Sequence, residues 1–259
     1  MAKLVNDRQA AAEAVAQAAD THGEKIQGRF KEKYEKLLRG RERLPDLGLL
    51  VALIARGQRQ SAADLVAASD AHDRELSDDA GPREARDQAA SRLTAEIVSI
   101  RSAVASLFGE ALLRRLSLDG KTEVEAKGVL AQGRNLVVQL KDPAITWPAP
   151  RRRAVKVDPT AWAEDLLPLV TALETALSDV AREVREAQAT QQVKAQAMGA
   201  YDDLFSRGAE VLSAVFRLVG EDGLARQVRP SLTRPGRTRE EGEPGSRPGE
   251  GGGDSTVPG

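Results

Sequence analysis

The chain has 259 residues, no cysteine, 38 basic against 39 acidic side chains, and only 3% aromatics. Its near-neutral charge excludes the whole-molecule attraction that draws strongly basic proteins to nucleic acid or anionic membranes. The missing cysteines exclude disulfides, thiolate nucleophiles and cysteine metal sites, and they fit a reducing, cytoplasmic setting.

Polar residues at Lys3, Asn6, Asp7 and Arg8 interrupt the first segment, so no signal peptide is expected. The first helix is predicted from about Asn6 to Leu38, capped by Asn6 or Asp7. Its stripe is Val15, Ala19, His22, Ile26, Phe30, Tyr34 and Leu37, at steps of three and four. After Pro45, a suitable first-turn residue, Leu47, Leu49, Leu50, Val51, Leu53 and Ile54 are apolar nearly all round. That pattern predicts an enclosed central helix, continuing past Gly57 through Leu65, Val66 and Leu76. Its apolar run is about half of the roughly 20 residues a membrane span needs. No membrane association is expected.

Gly81-Pro82 predicts a break. A third long helix carries Ala89, Leu93, Ile97, Ile100, Val104 and Leu107, and Gly109 ends it before a short helix over Glu110–Leu116. Thr122 with Glu125 has the spacing of a capping box. The helix it would open carries Ala126, Val129, Leu130, Val137 and Leu140 and stops at Asp142-Pro143. Residues 142–158 then form a loop rich in proline and arginine.

Asp158-Pro159 reads as a cap and first-turn proline. The helix they launch has a long stripe: Trp162, Leu166, Val170, Leu173, Leu177, Val180, Val184 and Ala187. Pro168 predicts a kink. A separate last helix carries Tyr201, Leu204, Phe205, Val211, Leu212, Val215 and Leu218 and ends at Gly220. A short helix through Leu224 and Val228 follows, and from Arg229 the composition predicts a disordered tail. The expected architecture is an all-α antiparallel bundle of about six long helices plus short ones. It divides into an N-terminal half (1–118), a C-terminal half (119–228) and the tail (229–259).

Ser102-Ala103-Val104, Leu107, Gly109 and Glu110 reappear as Ser213-Ala214-Val215, Leu218, Gly220 and Glu221. Two pseudo-symmetric halves would produce such an echo, and so would two similar helix stops. The segments LFSRGAEVLSAVFRLVGEDGLA (204–225) and VRPSLTRPG (228–236), with the Asp158-Pro159 helix start, resemble a group of bacterial all-helical proteins. The resemblance spans most of residues 80–236. It implies a helical fold and no activity.

No G-x-S-x-G elbow, phosphate-binding Gly-Lys-Ser/Thr loop or dinucleotide fingerprint occurs, so no catalytic residue, cofactor or metal is expected. His22 lies on an apolar stripe, where a structural imidazole is the default. His72 sits among Asp70, Asp73 and Glu75 without the paired-histidine spacing of a metal helix, and a solvated polar face is expected. Two binding readings remain. The heptad register of the long helix continues into Gln191, Lys194 and Met198, polar substitutions typical of a projecting or register-selecting coiled-coil segment. That would serve self-association or a protein partner, on a helix protruding beyond residue 187. The alternative is weak nucleic-acid binding by Trp147, Arg151, Arg152, Arg153 and Lys156, a stacking ring beside basic charge. A non-catalytic cytoplasmic scaffold or interaction protein is the expected role.

Overall fold

A computed structural model describes residues 2–78, 80–151 and 156–239. The chain is all-α. Its elements are α1 (Ala2–Tyr34) with a 3-10 turn (Glu35–Leu37), α2 (Leu47–Asp78), α3 (Ala80–Phe108), α4 (Glu110–Arg115), α5 (Ala126–Lys141), α6 (Pro159–Leu218) and α7 (Asp222–Gln227). The described residues contain no strand beyond an isolated bridge from Pro230 to Thr238. None of their helices is long and apolar enough to cross a membrane.

Two compact units emerge. One combines residues up to Ala71 with those after Gln191, and the other spans His72–Gln191. The boundary expected at 118/119 therefore falls inside the second unit. The reason is that α3, before that point, and α5, after it, share one apolar core.

In the first unit the core joins Val15, Ala19, Ile26 and Phe30 of α1, Val51, Ala55 and Leu65 of α2, and Tyr201, Phe205, Leu212 and Phe216 of α6. Each large member contributes roughly 1.5–3 kcal/mol by leaving water. The second unit buries Leu93, Ile97, Ile100 and Val104 of α3 against Val129, Leu136 and Leu140 of α5 and Leu166, Val170 and Leu173 of α6. Gly133 allows this close approach, since a Cβ there would lie 3.0 Å from Leu93 Cδ2 and 3.1 Å from Val170 Cγ2.

Several local expectations are corrected. Helix α1 starts at Ala2 and not at an Asn6 or Asp7 cap. Thr122 caps nothing: Arg101 donates to its hydroxyl at 2.9 Å, and α5 opens at Ala126 without a side-chain cap. The Asp158 cap does form, with Oδ1 accepting from the Thr160 N–H at 2.9 Å. Helix α6 runs through Pro168 and unites the two helices expected on either side of residue 190 into one of 60 residues. Nothing between Ala187 and Tyr201 stops a helix strongly, because a lone glycine such as Gly199 costs only about 1 kcal/mol.

Residues 229–239, expected to belong to the disordered tail, make defined contacts, and the rest of that tail (240–259) lies outside the described residues. The Gly236 carbonyl lies 3.2 Å from the Tyr201 hydroxyl, and Arg237 pairs with Asp7 at 2.6 Å. Hydropathy missed this because the contacts are polar and backbone-mediated. Beneath them Arg8, only 7% exposed, holds Asp202 through Nε to Oδ1 (2.8 Å) and Nη2 to Oδ2 (2.9 Å). The Tyr201 hydroxyl donates to the Arg8 carbonyl at 2.6 Å, and burial, with the Asp202 charge adding to it, raises its pKa.

Where α6 ends, Glu221 meets Lys25 at 2.8 Å and Arg29 at 2.6 Å. The Lys25 ammonium, with help from Arg29, lowers its pKa below the ordinary 4.5. A lowered folded-state pKa stabilises above the unfolded value and is lost as pH falls through the folded one. Unfolding free energy measured from pH 6 downward should therefore decline as pH drops below about 4.5, and more shallowly in Glu221→Gln. Identical acid limbs for the two proteins would refute the pairing.

Candidate interaction surface

The sequence singled out two places for binding, and the packing alters both. In the first, Lys194 is buried at 1% exposure, Gln191 is exposed and Met198 is half-buried against the first unit's core. Further along α6, Tyr201, Phe205 and Leu212 belong to the first unit's core. Of the three residues expected to form a helix-pairing surface, Gln191 alone is exposed.

In the second place, Arg152 and Arg153 lie outside the described residues. Trp147 is half-buried and meets Phe108 and Trp162 edge-on, with centroids 5.4 and 6.2 Å apart. The Arg151 N–H donates to the Leu107 carbonyl at 2.9 Å, one of the acceptors that a helix end leaves unmet. Its guanidinium covers Gly109, where a Cβ would come within 2.7 Å of Nη2. Lys156 is exposed. These contacts make Trp147 and Arg151 parts of the second unit's packing.

His22 is half-buried near Glu221. His72 is not solvated as expected but 4% exposed, its Nδ1 3.0 Å from the Thr190 hydroxyl. The Thr190 hydroxyl also lies 3.1 Å from the Ala187 carbonyl, and with its proton on that bond Nδ1 of His72 is the donor. Glu75, Glu183 and Glu186 bring carboxylate oxygens within 4.8 Å of one another, a grouping missed because α2 and α6 are distant in sequence. Acidic side chains gather this way without an ion, and the trio carries no assignment.

A surface that the sequence did not single out is larger in consequence. Helix α2 was expected to be enclosed, yet of its first turns only Leu47, Val51 and Ala55 are buried in the core, with Ile54 partly buried against it. Leu49 (52%), Leu50 (39%) and Leu53 (52%) are exposed. Leu50, Leu53 and Ile54 line a groove of about 500 Å³ opposite Leu204 and Val211 of α6, both also exposed. Gly57, with no side chain, keeps part of the floor low, while Gln58 and Ile54 fill the space over Gly208. Gln58 crosses beside Gly208 and donates to the Leu204 and Phe205 carbonyls at 3.3 and 3.4 Å, staple-like. Asp203 and Arg207, paired at 2.8 Å one helical turn apart, edge the groove on α6.

The missed signal was legible in part. An apolar ring on a bundle helix offers more greasy surface than two neighbours can cover, and the surplus stays in water. A second depression, of about 460 Å³ between α3 and α6, is walled by Ala85, Ala89, Ala172 and Ala176. Methyl groups there offer far less apolar area than the leucines of the α2–α6 groove. Compared with protein-family models, curated proteins and solved structures, the chain matches none.

Proposed function

We propose that this chain is a non-catalytic helical interaction protein whose partner-binding surface is the α2–α6 groove. One observation carries the reading: Leu50, Leu53, Leu204 and Val211 stand exposed around one concavity. Scattered surface leucines are ordinary, but a contiguous apolar patch rimmed by polar groups is the usual mark of a protein interface. A bound helix would dry these side chains, at roughly 25 cal/mol per Å² of apolar surface removed from water. The cysteine-free composition supports a cytoplasmic setting.

The competing nucleic-acid reading of the 147–156 loop is less well supported. The Trp147 ring already packs on Phe108 and Trp162, and stacking on a base would need that ring.

The test is the variant Leu53→Glu/Leu204→Glu, chosen because both side chains face water and their replacement leaves the core intact. Circular dichroism should show unchanged helicity. Oligomeric state and the set of stoichiometrically captured proteins are then compared with the wild type. The variant should lose an association that the wild type makes. If both measurements come out the same for the two proteins, the groove is not an interface.

A further inference from the structure

We infer that the occupant of the α2–α6 groove is the same groove of a second copy of this chain, related by a two-fold axis. This deepens the reading just given and rests on it. Three features favour this occupant. The chain's own remaining segment, residues 240–259, is Gly-, Pro- and Glu-rich with Val257 as its only sizeable apolar residue, so it cannot fill a leucine-lined groove.

Charge is the second. The α6 rim carries one acid, Asp203, and one base, Arg207, with side chains 58% and 78% exposed. A two-fold axis through that turn sets α6 antiparallel to its copy. Asp203 then faces the partner's Arg207, and Arg207 faces the partner's Asp203. A surface of single sign would instead repel itself, since like charges brought face to face disfavour an interface. Shape is the third. An isologous contact needs projections and a hollow on the same face. Leu53 and Leu204 project beside the groove whose floor runs over Gly57.

The experiment is light scattering on the full chain from low to high micromolar concentration, with charge-swapped variants. The wild type should rise from monomer to dimer mass. Asp203→Arg alone and Arg207→Asp alone should each weaken the dimer about tenfold, because the two-fold repeats every like-charge contact. Mixing the two single variants should restore dimers as heterodimers, and Asp203→Arg/Arg207→Asp in one chain should restore homodimers. These side chains are exposed, so the variants fold like the wild type, and circular dichroism verifies it.

A wild type that stays monomeric throughout overturns the inference. If Leu53→Glu/Leu204→Glu nevertheless loses a captured partner, the groove serves a different protein and only the choice of occupant is wrong. A dimer indifferent to the swaps also overturns it, since the contact then lies elsewhere.

Discussion

Asp202→Ala should lower the unfolding free energy by roughly 2–4 kcal/mol. That is somewhat below the usual 3–5 kcal/mol for orphaning one member of a buried ion pair, because one edge of Asp202 still meets solvent (21% exposed). The physical cause is the charge left behind. Arg8 sits at 7% exposure with Nε and Nη2 committed to the two carboxylate oxygens. Without them a guanidinium must either stay buried and unpaired or drag the start of α1 toward water. Replacing both partners, as in Arg8→Met/Asp202→Leu, should recover most of the loss, since a well-packed apolar pair performs about as well as a buried salt bridge. Denaturant unfolding of the three proteins decides. A single-variant loss below about 0.5 kcal/mol, the scale of an exposed pair, would mean the pair is not desolvated in solution.

The same network should respond from its outer side. Gly236 has φ of +72°, and a Cβ there would overlap Asp202 Oδ1 and press on Tyr201 Cε1. Gly236→Ala should therefore detach residues 229–239 while leaving the helices folded. Faster tryptic cleavage at Arg237 would report this, together with a fall of the Tyr201 pKa toward the ordinary tyrosine value.

The second large effect is expected at Gly109. Its φ of 88° and ψ of −177° occupy a region that only glycine adopts easily, and other residues are strained there by about 1–3 kcal/mol. The methyl of an alanine would lie 2.7 Å from Arg151 Nη2, the far end of an exposed, flexible side chain that swings aside at little cost. Gly109→Ala should therefore destabilise by about 1–3 kcal/mol through the backbone alone, and Arg151→Ala should change that loss little. Gly220, with φ of +82° and no atom within 4 Å of its added Cβ, is a second glycine with positive φ. A loss below about 0.5 kcal/mol on Gly109→Ala in denaturant unfolding would show that the backbone is not held in that region.

These two glycines also show how far the internal echo goes. Both stop a long helix with positive φ, as repeated Gly-Glu dipeptides lead one to expect. Their surroundings differ. Ser213 is buried and donates to the Ala225 carbonyl at 2.8 Å, while its counterpart Ser102 is exposed. Glu221 is held by two cations of α1, a helix with no counterpart in the second unit. A local motif is common to both places, and that alone does not make matching halves.

Helix boundaries marked by glycine, proline and Asp-Pro were legible because they act through the backbone of one or two residues. The single length of α6 was not, since the weak signals near Gly199 compete with burial of Tyr201 and Phe205, which only the folded core supplies. The groove was half legible: the apolar ring of α2 was visible, but which part of it would find a neighbour was not. Arg8 gives no sign along the chain of its pairing with Asp202.

By itself, then, the sequence determined that this chain is helical, where most helices stop, and which residues of each face are greasy. Those are properties of near neighbours, dictated by the 3.6-residue turn and by backbone sterics. Only the tertiary structure decided which greasy faces stay wet, which charges are sealed in, and that the first 71 residues share a core with those after Gln191. Such pairings depend on contacts between positions as many as 230 residues apart, about which local periodicity is silent.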